Sequence, residues 1–244
     1  MLYKAKRGQA SYGEAIGILL LDTSFAPYIP GDVANASSYS FPVRYKVIKG
    51  LTVEKIFQKD ISFLSQLVEA GKKLVENGVR AITGNCGFMA LFQREAAQQL
   101  GVPVFLSSLL QLSFMANMVG EGEKIGIITA NARILDDALL RKVGMEDIDH
   151  LKIKGMDEKE YFRKAINEEI GWLDTGKVEK EVVSVVKEMI REDPMVKMIL
   201  LECACLPPYG AAVQEAVNLP VFDFITMINY VYSAVVKKKY EGFM

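Results

Sequence analysis

Two cysteines occupy matching places in the two halves of this chain. Cys86 lies in ITGNCGF and Cys203 in LLECACL, and each stands 17 positions before a proline, Pro103 or Pro220. Each follows a short apolar run of strand type and precedes a helical pattern. That places each thiol at the carboxyl end of a strand and near a helix N-terminus, where N–H groups and the positive dipole end stabilise a thiolate and bind carboxylate oxygens. Two thiols facing one cleft suit proton transfer at a carbon beside a carboxylate: one removes a proton, and the other returns one to the opposite face. An ordinary thiol pKa of about 8.5 leaves both forms accessible near neutrality. The carbanion formed would need N–H and hydroxyl donors around the substrate carboxylate, as an oxyanion site does. The single histidine, His150, sits in the charged stretch MEDIDHLK and reads as a surface residue. Acid–base work therefore falls to cysteines and carboxylates.

Residues that could serve as those donors cluster at the same strand ends. Asp22, Thr23 and Ser24 follow the first apolar run, Thr83, Asn85 and Gly87 surround Cys86, and Ser107 and Ser108 follow the next run. Thr129 and Asn131 hold the corresponding place in the second half, and Ala204 adjoins Cys203. The same residue types are the common choices for helix caps and turns. Phe25, Tyr28 and Tyr209 are candidates to line the cleft for a larger acid. Cys205 reads as a buried structural thiol. A metal site built on Cys86, Cys203 and Cys205 is disfavoured, because zinc takes four ligands or three plus water and the cysteine pattern is incomplete. No organic cofactor is indicated: GEGEKIG precedes a strand instead of opening a helix after one, so it fails the context of a phosphate-binding loop.

The elements that must position these residues alternate. Apolar strand patterns cover 16–21, 81–83, 102–106, 124–129, 198–202 and 219–222, with helical periodicity over 52–77, 88–100, 178–191 and 224–240. Such alternation implies parallel sheets covered on both faces. The chain also repeats itself. AIGILLLDTSF is echoed by KIGIITANAR, with Gly17 and Gly126 in register, and LGVPVFLSS by VNLPVFDF. Gly17 precedes Cys86 by 69 residues and Gly126 precedes Cys203 by 77, so order and spacing repeat with a small insertion. Duplication would bring the two cysteines to opposite sides of one cleft. The expected fold is α/β, with two pseudo-symmetric domains, each a mostly parallel sheet flanked by helices, and the active site between them. The first domain takes 1–120 plus 223–244, and the second 121–222.

Composition narrows the function classes. The 244 residues carry 29 Lys and Arg against 30 Asp and Glu, a formal net charge of −1. That lacks the basic footprint of phosphate neutralisation, so nucleic acid is not an expected partner. The apolar run 15–21 is too short to span a bilayer, and the residues before it lack the apolar core and cleavage site of a signal peptide. With three cysteines giving no disulfide framework, a reducing cytoplasm is the expected setting.

TGNCGF around Cys86, LLECACLPPY around Cys203 and the segment PGDVANASSYSFPVRYKV resemble the aspartate/glutamate racemase superfamily, over nearly the whole chain. The resemblance implies two pseudo-symmetric α/β domains and a cofactor-independent amino-acid racemase or epimerase. Cys86 and Cys203 would be its acid–base pair, with Asp22, Asn85 and Thr129 near the substrate. It also implies a C-terminal helix packed back on the first domain, and homo-oligomers are common among such racemases. One departure stands out: glutamate racemases carry Gly-Cys-Thr-His at the second cysteine, where this chain has Glu202, Cys203, Ala204 and Cys205. Glu202 could therefore tune Cys203, take a proton itself or serve as a cap. Three other readings remain: a decarboxylase or a cis–trans isomerase of a small carboxylic acid on the same fold, and a non-catalytic small-molecule binder.

Overall fold

The computed structural model describes residues 2–23 and 25–244; Ser24 lies outside them. Two four-stranded sheets, all parallel, form the frame. The first contains β1 (Ile16–Leu20), β2 (Val43–Val47), β3 (Ala81–Gly84) and β4 (Val104–Phe105) in the order β2-β1-β3-β4. The second contains β5 (Lys124–Thr129), β6 (Leu151–Gly155), β7 (Val196–Leu201) and β8 (Val221–Phe222) in the order β6-β5-β7-β8. The second sheet repeats the first, strand for strand.

The central strands are nearly continuous apolar runs because helices cover both of their faces. Their shared glycine has a packing reason. A Cβ at Gly17 would lie 3.0 Å from Leu74, and one at Gly126 would lie 2.5 Å from the Met189 sulfur and 2.9 Å from Ile199. The repeated prolines have one too. The Pro103 carbonyl accepts from Ile82 N–H and the Pro220 carbonyl from Ile199 N–H, both at 2.9 Å. Each proline opens an edge strand, where its missing donor costs the ladder nothing.

Helices α1 (Val53–Phe57), α2 (Leu64–Glu76), α3 (Gln93–Leu100) and α4 (Leu112–Ala116) belong to the first half. Next come α5 (Asp137–Lys142), α6 (Glu160–Phe162, running into a π-helical turn Arg163–Asn167), α7 (Thr175–Glu192) and α8 (Gly210–Val217). The last, α9 (Phe224–Val235), returns to the first sheet. There Phe224, Met227 and Ile228 are buried with Ile16, Ile18 and Phe105, and Tyr232 stacks on Phe41 at 3.5 Å between ring centroids.

Several expected elements differ. β2 and β6 were not among the expected strands because they are half-exposed edges whose apolar residues alternate with Arg44, Lys46, Lys152 and Lys154 and so form no apolar run; those charges keep the edges from pairing further. The helix expected over 52–77 is broken: Lys59 takes a left-handed φ of 54°, and the Asp60 carboxylate accepts from Ser62 N–H to start a new turn. The pattern 88–100 begins as a 3-10 turn, Gly87–Phe92, before α3. The last helix stops at Val235, short of the lysine run.

Candidate active site

Both cysteines line one small cavity between the sheets' carboxyl ends, with a volume of about 40 Å³. Cys86 precedes the 3-10 turn after β3, and Cys203 follows Glu202 at the end of β7. The Phe88 and Met89 N–H groups pull the Cys86 pKa down, as a helix start should. Burial, Glu202 and Cys203 outweigh them, and the thiol is pushed up. The stabilised thiolate expected at this turn is therefore not what its surroundings favour at rest, because a buried anion beside another anion lacks compensation.

The residues before the two cysteines are structural twins. Asn85 Oδ1 accepts from the N–H of Leu21, the residue after β1, at 2.9 Å. Glu202 Oε2 accepts from the Thr129 hydroxyl at 2.8 Å, and the carboxyl faces the backbone N–H of Ala130, after β5, which holds its pKa down. An amide meets the need in the first half and a carboxyl in the second. Glu202 is fully buried, its Oε1 has no partner, and burial pushes its pKa up to about 7. Gly87 is pressed against it: a Cβ there would overlap the carboxyl and stand 2.8 Å from the Glu202 carbonyl oxygen.

Around Cys203 the segment 25–39 closes the site. Gly31, at φ 98°, packs on Pro208, and Val33 N–H donates to the Ala204 carbonyl. This carries the Asp32 carboxyl, 2% exposed, to Cys205, whose thiol is held protonated between Cys203 and Asp32. Asp32 is itself pushed up to about 7 by burial, against a 2.7 Å hydrogen bond from Ala34 N–H. Cys205, expected as a buried structural thiol, is half-buried and lines the cavity. Its place is the one that histidine holds in the motif it resembles.

The structure brings together some of the expected contacts and separates others. Thr23, Asn85 and Gly87 line the cavity, and the Thr23 hydroxyl is hydrogen-bonded to that of Tyr28, which lines it as well. Five do not line it. Asp22 turns away to accept from Gly50 N–H at 2.8 Å and pair with Lys49. Thr83 donates to the Phe105 carbonyl, Thr129 is occupied by Glu202, and Asn131 caps its own turn through Arg133 N–H. Ala204 is packed among core residues of the first half. Asp22, Thr83 and Asn131 bond backbone groups and Thr129 bonds the Glu202 carboxyl, the competing structural use of these residue types. Phe25 is exposed and Tyr209 is buried away from the cavity. His150 pairs with Asp147 on the surface. Among the described residues no group of three or more His, Cys, Asp or Glu is arranged to hold a metal ion. Asp32, Asn167 and Glu169 carry no signal in the sequence; only the fold brings them here.

The fold is that of the aspartate/glutamate racemase-like superfamily, with two parallel α/β layers duplicated about one cleft. Among solved structures, allantoin racemase from Pseudomonas fluorescens matches with a TM-score of 0.63 at 15% identity, covering 91% of each chain. Unliganded arylmalonate decarboxylase matches with a TM-score of 0.57 at 13% identity, covering 93% of this chain and 94% of its own. No family model matches the chain. Curated relatives are nearer in sequence: dimethylsulfoniopropionate lyase of Durusdinium sp. clade D is 32% identical over 232 residues, 88% of this chain and 73% of that protein. Dimethylsulfoniopropionate lyase 5 of Emiliania huxleyi is 32% identical over 231 residues, 90% of this chain and 45% of that protein. The chain belongs to the dimethylsulfoniopropionate lyase family. It spans about three quarters of the first relative's length and less than half of the second's.

Proposed function

We propose that this chain is a lyase that eliminates a neutral leaving group from the carbon β to a carboxylate, with dimethylsulfoniopropionate as substrate. The observation that carries the reading is the 32% identity, over 88% of the chain, to a protein of that name. The amino-acid racemase expected from the motifs is replaced by an enzyme of the lyase class, the class to which the decarboxylase alternative also belongs.

The chemistry keeps its first step and changes its second. A base takes a proton from the carbon α to the carboxylate. The electron pair forms the carbon–carbon double bond, the carbon–sulfur bond breaks, and dimethyl sulfide and acrylate result. Dimethyl sulfide leaves neutral, so elimination needs no acid for the leaving group and no proton returned from the opposite face. Cys86 is the base in this reading. Its proton passes to Glu202, the buried carboxyl beside it, and one negative charge is shared by the pair before the thiolate acts. The N–H groups of the turn at Gly87–Phe92 serve the substrate carboxylate as charge builds on it.

The test is direct. The purified chain should release acrylate and dimethyl sulfide from the sulfonium substrate, and Cys86→Ser should lower kcat at least about a hundredfold. Absence of both products, or undiminished turnover in Cys86→Ser, removes the reading. A racemase keeps one supporting observation, that both cysteines line the same cavity. Deuterium entering the α-carbon of an amino acid in D₂O, lost with either Cys86→Ser or Cys203→Ser, would favour it instead.

A further inference from the structure

Among the described residues the cavity is lined by two carboxyl groups and by no Lys, Arg or His. One carboxyl, Glu202, belongs to the base. The other, Glu169, has no task in the mechanism. It follows the π-helical turn Arg163–Asn167, and its backbone is held at φ 50°, a left-handed conformation that a glutamate adopts at a cost. Its Oε1 is buried without a hydrogen-bond partner. The basic residues nearby in sequence are engaged elsewhere, Arg163 with Glu168 and Lys164 with Glu160. An anionic oxygen taken from water without a partner is unfavourable. A cation brought by the ligand would compensate it.

The rest of the lining narrows which cation. Tyr28, Phe57 and Phe88 contribute aromatic rings, the two phenylalanines packed edge to face at 5.6 Å. The Tyr28 hydroxyl is already joined to Thr23. Leu21, Val53 and Ile166 add aliphatic surface. Apart from Asn167, whose amide N–H is given to the Ala130 carbonyl, such walls have few acceptors for the three N–H donors of a primary ammonium. They suit a methylated onium ion, which carries its charge on an apolar surface and is held by aromatic faces and one carboxylate.

We propose that Glu169, with Tyr28, Phe57 and Phe88, forms a cation subsite that selects zwitterions carrying a methylated onium centre, their carboxylate directed to Cys86 and Gly87. This rests on the elimination reading for its orientation and explains how a site without a basic side chain distinguishes its substrate from other small acids. The same cation would favour the ionised form of Glu202, so ligand binding and activation of Cys86 are coupled.

The test uses a matched pair that differs only in charge: trimethylammoniopropionate and its neutral carbon isostere, 4,4-dimethylpentanoate. Calorimetric titration of the whole chain should show the zwitterion bound at least about tenfold tighter than the isostere, as a partly buried charge pair implies. Glu169→Gln should abolish that preference while leaving the affinity for the isostere unchanged, which also shows that the variant is folded. An equal preference in wild type and Glu169→Gln, or none in wild type, overturns the subsite. The outcomes separate from those of the lyase reading. A charge preference that needs Glu169, without acrylate release, keeps the subsite and removes the reaction; acrylate release with a preference indifferent to Glu169 does the reverse.

Discussion

Asn85 and Glu202 occupy the same place in the two halves, and the difference between them is one ionisable group. The amide satisfies the backbone after β1 and can do nothing more, whereas the carboxyl satisfies the backbone after β5 and can also take a proton. Burial sets the Glu202 pKa near 7, so the fraction able to accept the Cys86 proton rises through neutrality. kcat should therefore increase with pH along a limb centred near 7. Glu202→Gln makes the second half resemble the first; it should keep the fold, lower kcat by about 10²- to 10⁴-fold and remove the limb. Asp32 titrates in the same range but faces Cys205, so Asp32→Asn should leave the limb in place. A pH–rate profile of the three proteins decides between them. If the limb survives in Glu202→Gln, the carboxyl is only a cap. That residue 202 differs from glutamate racemases was visible in the sequence. That its free oxygen lies against Gly87 was not, because the contact joins residues 115 positions apart.

At the scale of elements, the repeat records how closely a helix can approach a strand. Gly17 and Gly126 sit mid-strand beneath Leu74 of α2 and Met189 of α7, and any side chain there must push the helix away. Gly126→Ala should cost about 1–3 kcal/mol by overpacking, read as a lower urea midpoint at unchanged slope. An unchanged midpoint would mean that Met189 moves freely and the glycine is not a packing requirement. The central strands were legible because burial on both faces writes an apolar run. The edges β2 and β6 write an alternation of apolar and charged residues instead, VRYKV and LKIKG, which a reading by apolar runs passes over. The break at Lys59 was hidden for a related reason: apolar spacing continues through it on both sides, and only the Asp60 cap marks the restart.

At the scale of the whole molecule, the halves are held together at the site itself. The Ser108 hydroxyl, from the first half, donates to the Glu202 carbonyl at 2.8 Å, and the segment 25–39 lies over Cys203 and Cys205. This enclosure removes Glu202 and Asp32 from water and has a cost that varies with pH. Both carboxyls hold protons in the folded state that the unfolded chain has released between about pH 4 and 7. Stability should therefore fall as pH rises through that window and stay lower above it, by on the order of a few kcal/mol. Urea unfolding at pH 5 and pH 8 measures it, and the Glu202→Gln, Asp32→Asn double variant should flatten the difference. Equal pH dependence in the double variant would contradict that assignment. No helix among the described residues is long and apolar enough to cross a membrane. By itself the sequence determined the duplicated α/β frame and the pairing of Cys86 with Cys203, because buried strands, helix periods and repeat spacing are written locally along the chain. Only the tertiary structure decided which polar groups face the cavity. It kept Tyr28 of the three aromatic candidates, brought in Cys205, Glu169 and Asn167, and turned Asp22, Thr83, Thr129 and Asn131 to structural tasks. The physical reason is that a hydroxyl, amide or carboxyl is bound by whichever backbone group or neighbour packing brings within reach, and those partners come from distant segments that local pattern does not name.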